Sequence, residues 1–598
     1  MTSDLLHDSF PNLLKVNALM SRFCYERFFL NIVLVLSSLL WNHSLLMGQE
    51  KPIQFSEIAL SLGVDFQHHS PLTAERHLHG FLGSGLGWLD YDLDGWDDLY
   101  CCQGASWESM LKPGEARDLK ESNALYRNQS GVRFSNVTPD AGLKEFGYSM
   151  GVAFGDFDND GFPDIYVNNF GVNQLFWNRG DGTFSEVGTA AGVNADGYGS
   201  GCTWADYDND GDLDLFVVNY LKLDLKNYPV CDAGSGSQKV AVGCHPRYLP
   251  AEYDILYENQ SDGTFIDVSQ KAGLRAEPAR QGLGIVAVDF NQDGWMDFYL
   301  ANDEVPNQLW INDGKGGFTD QSLISGTAVN RGGQWEAGMG VAAGDIDGDL
   351  TSDLFVTNFY KETNTLYRNE GALFFLDVTN EFGLAAPSQF KLGFGTNLFD
   401  ADNDGWLDLF VANGHIKDLF PSANEREPFQ QKPQLFKNRN GKRFQDVSET
   451  AGTYFSETHL GRGSAVSDFN HDGFADLAVQ RLNAPLVILK NKTQTANRLL
   501  SMRLIGRESN RSGIGARVEI RTDQRRFLKT RMGSSSYLSS DAAEIYQGLV
   551  AGSKMEEIIV HWPGGVSETW HPDQNATRLT LLQGTGLKKP SGSTGVAK

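Results

Sequence analysis

DYDNDGDLD, Asp206–Asp214, runs directly into LFVVNY, Leu215–Tyr220, and on this stretch the fold turns. Alternating carboxylates at the first, third and fifth positions converge on one hard cation as the chain curls. Glycine at the sixth position permits the sharp turn, the seventh offers its backbone carbonyl, and the ninth aspartate closes the shell. This is the calcium-loop logic of an EF-hand without its helices or its Glu at position twelve. A β-prone apolar run follows instead. An all-oxygen set favours calcium over zinc or copper, with magnesium second.

One such loop would equally be read as a solvated turn. Here the loop occurs seven times, six of them as D-x-[DN]-x-D-G-x-x-D and the fifth without that glycine, always with the ninth aspartate. The predicted ligands of the first loop are Asp90, Asp92, Asp94, the carbonyl of Trp96 and Asp98. In the second they are Asp156, Asp158, Asp160, Phe162 and Asp164, and in the third Asp206, Asp208, Asp210, Asp212 and Asp214. The fourth has Asp289, Asn291, Asp293, Trp295 and Asp297, and the fifth Asp345, Asp347, Asp349 and Asp353. The sixth has Asp400, Asp402, Asp404, Trp406 and Asp408, and the seventh Asp468, Asn470, Asp472, Phe474 and Asp476. Asn291 and Asn470 keep an oxygen and lose a charge. Leu350 stands where the fifth loop should have glycine, which marks that site as the weakest or empty. About six or seven Ca2+ per chain are expected. Seven divalent ions would bring the formal charge from −26 to −12. Without them, like charges repel within each loop.

Between loops a second element recurs, as in LYRNQSGVRFSNV (Leu125–Val137), LFWNRGDGTFSEV (Leu175–Val187) and LFKNRNGKRFQDV (Leu435–Val447). Each is read as strand, Gly turn, strand. With the strands flanking each Asp loop, every unit has four short antiparallel strands. The expectation is an all-β protein: a seven-bladed β-propeller with a small β-rich C-terminal domain. The seventh unit lacks its last strand, and FSEIALSLGVDF (Phe55–Phe66) matches the missing piece. The N-terminal strand is therefore expected to complete the last blade, which leaves no open sheet edge.

The expected domains are 1–49, a signal peptide or N-terminal anchor; 50–494, the propeller; 495–584, the β domain; and 585–598, a flexible tail. The apolar run Phe28–Trp41, behind Lys15, Arg22 and Arg27, is shorter than a membrane span. It predicts export, to a secreted, periplasmic or cell-surface location, with membrane attachment only if the segment is uncleaved. Cys231 and Cys244 bracket a Gly/Ser-containing loop and are expected to pair. The acidic balance argues against nucleic acid as a partner. From residue 495 onward the balance reverses, with 15 Lys/Arg against 9 Asp/Glu.

No G-x-S-x-G, HExxH or P-loop occurs. Polar residues expected near the central channel precede each loop: His79, Tyr148, Tyr198, Gln281, Glu336, Lys391 and His459. They are candidate ligand-binding groups. The favoured function is a non-enzymatic binding or adhesion module for extracellular protein or carbohydrate. The alternative is a polysaccharide lyase or hydrolase using these residues. A Tyr/His/Arg set clustered around one pocket favours the enzyme, and a scattered ring favours binding.

The seven loops and their strands resemble FG-GAP/VCBS repeats, also found in integrin α-subunit propellers. SNRSGIGARVEI (Ser509–Ile520), GSSSYLSSDAAEIYQGL (Gly533–Leu549) and VHWPGG (Val560–Gly565) resemble the ASPIC/UnbV domain. This layout is similar to that of the cartilage acidic protein family, including its bacterial members. The resemblance implies secretion, calcium at the loop residues named above, and adhesion or matrix roles in animals. It implies no substrate.

Overall fold

The computed structural model describes residues 51–112, 122–143, 147–234, 239–275, 278–418 and 428–588. The expected signal or anchor segment lies outside them, as does nearly all of the expected tail. Among the described residues no helix is long and apolar enough to cross a membrane.

Each Asp loop joins the first two strands of a four-stranded antiparallel unit. In the fourth unit these are Gly282–Val288, Asp297–Asn302, Gln308–Asn312 and Phe318–Asp320, paired in that order. Seven such units occur among the described residues, the second and third being continuous through pairing of Asp164–Val172 with Asp196–Ala205. Both faces of each sheet are covered by a neighbouring sheet. That is why second strands such as DLFVVN (Asp214–Asn219) are buried at every position rather than alternating.

The first strands line the centre, and their G-x-G pattern follows from crowding there. A Cβ on Gly151, Gly284 or Gly340 would come within 2.2, 2.1 and 2.1 Å of the carbonyl oxygen of Ser200, Met339 or Phe394 on the next unit. Only hydrogen fits at such a distance. The residue before such a glycine points inward, as Met150, Leu283, Met339, Phe394 and Arg462 do.

Two features close the ring. Phe55–Glu57 pairs with Val487–Asn491, so the N-terminal strand completes the seventh unit. The second feature repeats seven times. The asparagine ending each third strand donates through Nδ2 to the carbonyl of the second residue of the preceding Asp loop. Asn178 reaches Tyr91, Asn259 reaches Phe157, Asn312 reaches Tyr207, and Asn438 reaches Ile346, at 2.8–2.9 Å. Asn369 reaches Phe290 and Asn491 reaches Ala401 in the same way. Asn128 reaches Phe469 of the seventh loop at 2.9 Å, which joins the first unit to the last. Buried carbonyls at each seam thus have their donors.

The C-terminal domain packs a sheet of Ile545–Leu549, Arg498–Ile505 and Arg578–Leu582 against one built on Arg517–Thr522 and Met555–His561. Leu500, Val518, Ile520, Ile558 and Trp562 form its core.

Candidate metal centres and the central channel

The Asp loops are held by their own hydrogen bonds. The first aspartate accepts the N–H of the sixth residue, as Asp90 does from Gly95 and Asp156 from Gly161. The fifth accepts from the seventh, as Asp293 does from Trp295. The ninth aspartate is a clamp. Asp98, Asp164, Asp214, Asp297, Asp353, Asp408 and Asp476 each accept the backbone N–H of the third-strand asparagine. In six loops the second oxygen accepts the N–H of the second residue. The ninth position therefore fastens each loop to its blade, whatever else it binds.

Five loops bring three carboxylates with oxygens within 4.8 Å of one another: Asp90/92/94, Asp156/158/164, Asp206/208/210, Asp345/347/353 and Asp400/402/404. These clusters could hold metal ions. Buried oxygens without a partner fit a cation there, namely Oδ1 of Asp90, Asp156 and Asp402 and both oxygens of Asp206. Burial first, and then neighbouring loop carboxylates, push Asp206 up to about 7; burial first raises Asp156 and Asp468 to about 7 as well. In the fifth loop glycine and non-glycine have exchanged places. Gly348 occupies the fourth position and Leu350 the sixth, where it takes φ 72°, in the region its counterpart glycines use. The loop keeps its shape, at a backbone cost of about 1–2 kcal/mol.

The central channel is filled. Arg531–Ala542, from the C-terminal domain, runs into it and bonds to strand after strand. Val341 and Ser536 exchange backbone hydrogen bonds, and Ser540 pairs with Leu86 and Trp88. Val152 N–H donates to the Leu538 carbonyl, Ser534 Oγ to Ile285, and Ser536 Oγ accepts from Thr396 N–H. Asp541 takes the Val466 N–H at 2.7 Å and Asn397 Nδ2 at 3.0 Å. The Leu538 carbonyl lies where a Cβ on Gly85 would be, 1.6 Å away, so the plug depends on that glycine. At its tip Tyr537 and Leu538 pack on Met150, Leu283, Met339 and Phe394. Arg462, fully buried, caps this end. It donates to the carbonyls of Phe81, Gly414, Gly461 and His415 and lies 3.9 Å over Phe394. Burial lowers it to about 10.

The rest of the basic domain covers the Asp loops. Arg503 pairs with Asp90 at 2.7 Å and Arg517 with Asp289 at 3.6 Å. Arg525 donates to the Gly405 carbonyl and stacks on Trp406, 3.3 Å from the ring centre. Ser512 accepts from the Asp156 N–H, and Asn209 from Gly564. Two ion pairs, at Asp90 and Asp289, thus accompany neutral hydrogen bonds and stacking between the basic domain and the acidic loops.

The seven expected channel residues do not meet in one place, because the inward position is held by the residue before the contact glycine, two or three residues beyond Tyr148, Gln281, Glu336, Lys391 and His459. His79, Tyr148 and Tyr198 enter a sealed aromatic cluster with Trp107, Phe170 and Tyr228. Burial lowers His79 to about 3. Tyr148 donates to Ser70 Oγ at 2.8 Å. Gln281 donates to the carbonyls of Pro246 and Leu249. Glu336 accepts from Asn330, Asn358 and Thr365, with burial raising it to about 7. His459 stacks on Tyr454 and contacts Arg481. Lys391 is half-buried. Cys231 and Cys244 are joined as a disulfide across the hairpin of Cys231–Ala233 and Val240–Val242. Cys101, Cys102 and Cys202 are buried thiols.

The third-strand asparagines were missed as functional residues, although the L-aromatic-x-N pattern displays them in every repeat. The plug carries no such signal beyond its run of serines.

Residues 90–167, 156–217, 289–356 and 400–479 match the family model of the FG-GAP-like repeat, and residues 506–588 that of ASPIC and UnbV. Cartilage acidic protein 1 of Xenopus tropicalis is 28% identical over 173 residues, 27% of this chain and 25% of that protein. The Homo sapiens protein is 29% identical over 170 residues, 27% of this chain and 24% of that protein. The chain thus spans about a quarter of the length of the curated relatives it matches. Among solved structures, the BP39L lectin from Burkholderia pseudomallei covers 69% of this chain and 98% of its own, with 10% identity and a TM-score of 0.41. A lectin from Agrocybe aegerita that recognises non-reducing terminal N-acetylglucosamine covers 62% and 88%, with 16% identity and a TM-score of 0.35. With its Asp-loop repeats and the domain that plugs them, the chain carries FG-GAP-like repeats followed by an ASPIC and UnbV domain.

Proposed function

We propose that this chain acts outside the cytoplasm as a calcium-stabilised, non-catalytic module that binds or adheres to protein or carbohydrate. The observation that carries the reading is the filled channel. Its own residues 531–542 occupy the place where a propeller enzyme would seat a substrate; His79, Tyr148 and Tyr198 share one aromatic cluster, while Gln281, Glu336 and His459 are engaged in local contacts elsewhere. Calcium is supported by buried, unpartnered carboxylate oxygens in all-oxygen clusters. Bound at Asp90, Asp156, Asp206 and their neighbours, the ion would neutralise carboxylates that burial otherwise disfavours, and so add to folding stability. The disulfide and the family match to extracellular-type repeats accord with export.

Thermal unfolding of the purified chain in excess calcium and after chelation, with metal content by mass spectrometry, tests the ion. A large upward shift with bound calcium is expected. An unchanged midpoint and no metal would remove the calcium claim. Binding to arrayed glycans and matrix proteins, with and without calcium, tests the module. Turnover of any polysaccharide by the calcium-loaded chain would overturn the non-catalytic reading.

A further inference from the structure

The seven loops share one motif, yet the charge facing them differs. The residue just before each third-strand asparagine lies across the loop of its own blade. In the sixth loop it is Lys437, buried, with its ammonium bonded to Asp402 and 3.2 Å from Asp404. In the first it is Arg127, 2.6 Å from Asp92 and 3.2 Å from Asp94. In the seventh it is Lys490, 3.0 Å from Asp472, and in the fifth Arg368, 3.9 Å from Asp347. The second loop has Trp177 instead, whose indole N–H donates to Asp158 at 2.8 Å, and the fourth has Ile311. The third loop has Glu258, which accepts from Tyr207 Oη at 2.7 Å beside Asp208 and Asp210.

A second observation singles out the third loop. In the other six, the first aspartate accepts the N–H of the sixth residue. Asp206 is 1% exposed; the Gly211 N–H and the Asn510 side chain face it, but neither of its oxygens has a donor in full hydrogen-bond geometry. Among the described residues, no salt bridge reaches any carboxylate of the second or third loop, whereas Arg503 and Arg517 add cations at Asp90 and Asp289. The third loop is therefore the one faced by a carboxylate in place of a cation, Glu258 being paired only with the exposed Lys271 at 3.8 Å, and its first aspartate is the least satisfied of the seven.

We propose that the residue preceding the third-strand asparagine sorts the loops: the third loop, with Glu258, binds a divalent cation most tightly, and the sixth is filled by the ammonium of Lys437. This rests on the calcium reading above. An ammonium already seated between two carboxylates must be displaced before an ion enters, and the loop then strands a buried lysine charge. A fifth carboxylate acts in the opposite sense, since ligand charge tunes affinity for calcium. The second loop, with no opposing cation, ranks next.

The test is a calcium titration of the full chain, counting ions by native mass spectrometry from limiting to saturating metal. Asp208→Asn is expected to remove the ion that fills first, and Glu258→Gln to weaken it about tenfold. Asp402→Asn is expected to leave the count unchanged, and Lys437→Met to raise it by one. Circular dichroism of each variant confirms that it is folded. Should Lys437→Met fail that control, Lys437→Gln, smaller and still polar, takes its place. Seven ions of equal affinity, or loss of the first-filled ion in Asp402→Asn, would overturn the ranking and leave calcium binding intact. No ion in any variant would instead sink the calcium reading itself.

Discussion

The ring and its plug hold together by opposite means. The ring uses the same residues seven times: the glycine where neighbouring strands touch, the ninth aspartate that clamps the loop, and the asparagine that reaches back to the previous blade. The plug uses a dozen residues once. Each of Ser534, Ser536, Ser540 and Asp541 satisfies a different strand. The difference teaches that a symmetric ring can be stabilised by an asymmetric insert, provided the insert carries many short polar side chains. Serine suits this, since its hydroxyl rotates to donate or accept as each strand requires.

The ring should be the more sensitive of the two. Asn438→Ala would leave the carbonyls of Ile346 and Leu407 without donors at a buried seam. A loss of about 4 kcal/mol is expected in calcium-saturated chemical denaturation, from two or more unsatisfied groups. A loss below about 1 kcal/mol would show that the seam does not depend on its asparagine. Tyr537→Ala, at the plug tip, should cost about 3 kcal/mol by opening a cavity against Phe394. Calorimetry would also show whether the two regions still melt together. A separate transition for the C-terminal domain would mean the plug is a lodger rather than part of the ring's core.

Where ring meets plug tip, pH supplies a third probe. His79 packs 5.5 Å from Tyr148 and is held near pKa 3, against an ordinary value of 6.5. Above pH 6.5 it is neutral folded or unfolded and contributes nothing to pH dependence. Below pH 6.5 the unfolded chain takes up a proton that the folded chain resists, so stability falls by about 1.4 kcal/mol per pH unit until about pH 3. His79→Phe keeps an aromatic ring and should flatten the decline between pH 6.5 and 5 by that amount, at saturating calcium. An unchanged slope would mean that His79 is not kept neutral at this seam.

The smallest expected effect lies in the ring's one irregular turn. Leu350→Gly restores glycine at φ 72° and should raise stability by about 1 kcal/mol, seen as a small upward shift in melting midpoint. Destabilisation would mean that the leucine side chain contributes more than its backbone costs.

Much of the ring could be read from residues alone. Recurrence of D-x-[DN]-x-D-G-x-x-D with a strand on either side implies a blade, and the missing last strand of the seventh unit points to Phe55–Glu57. Polarity points to Tyr148, Gln281, Glu336, Lys391 and His459, whereas the glycine at each close contact marks the inward residue two or three positions later.

What the sequence by itself determined is everything local and repeated: the turn chemistry, the strand pattern, the blade and its closure. These follow from spacing along a few residues, and seven copies average out chance. Tertiary structure alone decided that Ser540 would meet Val152, 388 residues away in the chain, and that Lys437 would fill a loop 35 residues before it while Glu258 faces its own. Such contacts leave no periodic trace. They arise because closing the ring creates a channel and a face of unneutralised charge, and the residues that satisfy them can come from anywhere the folded chain brings near.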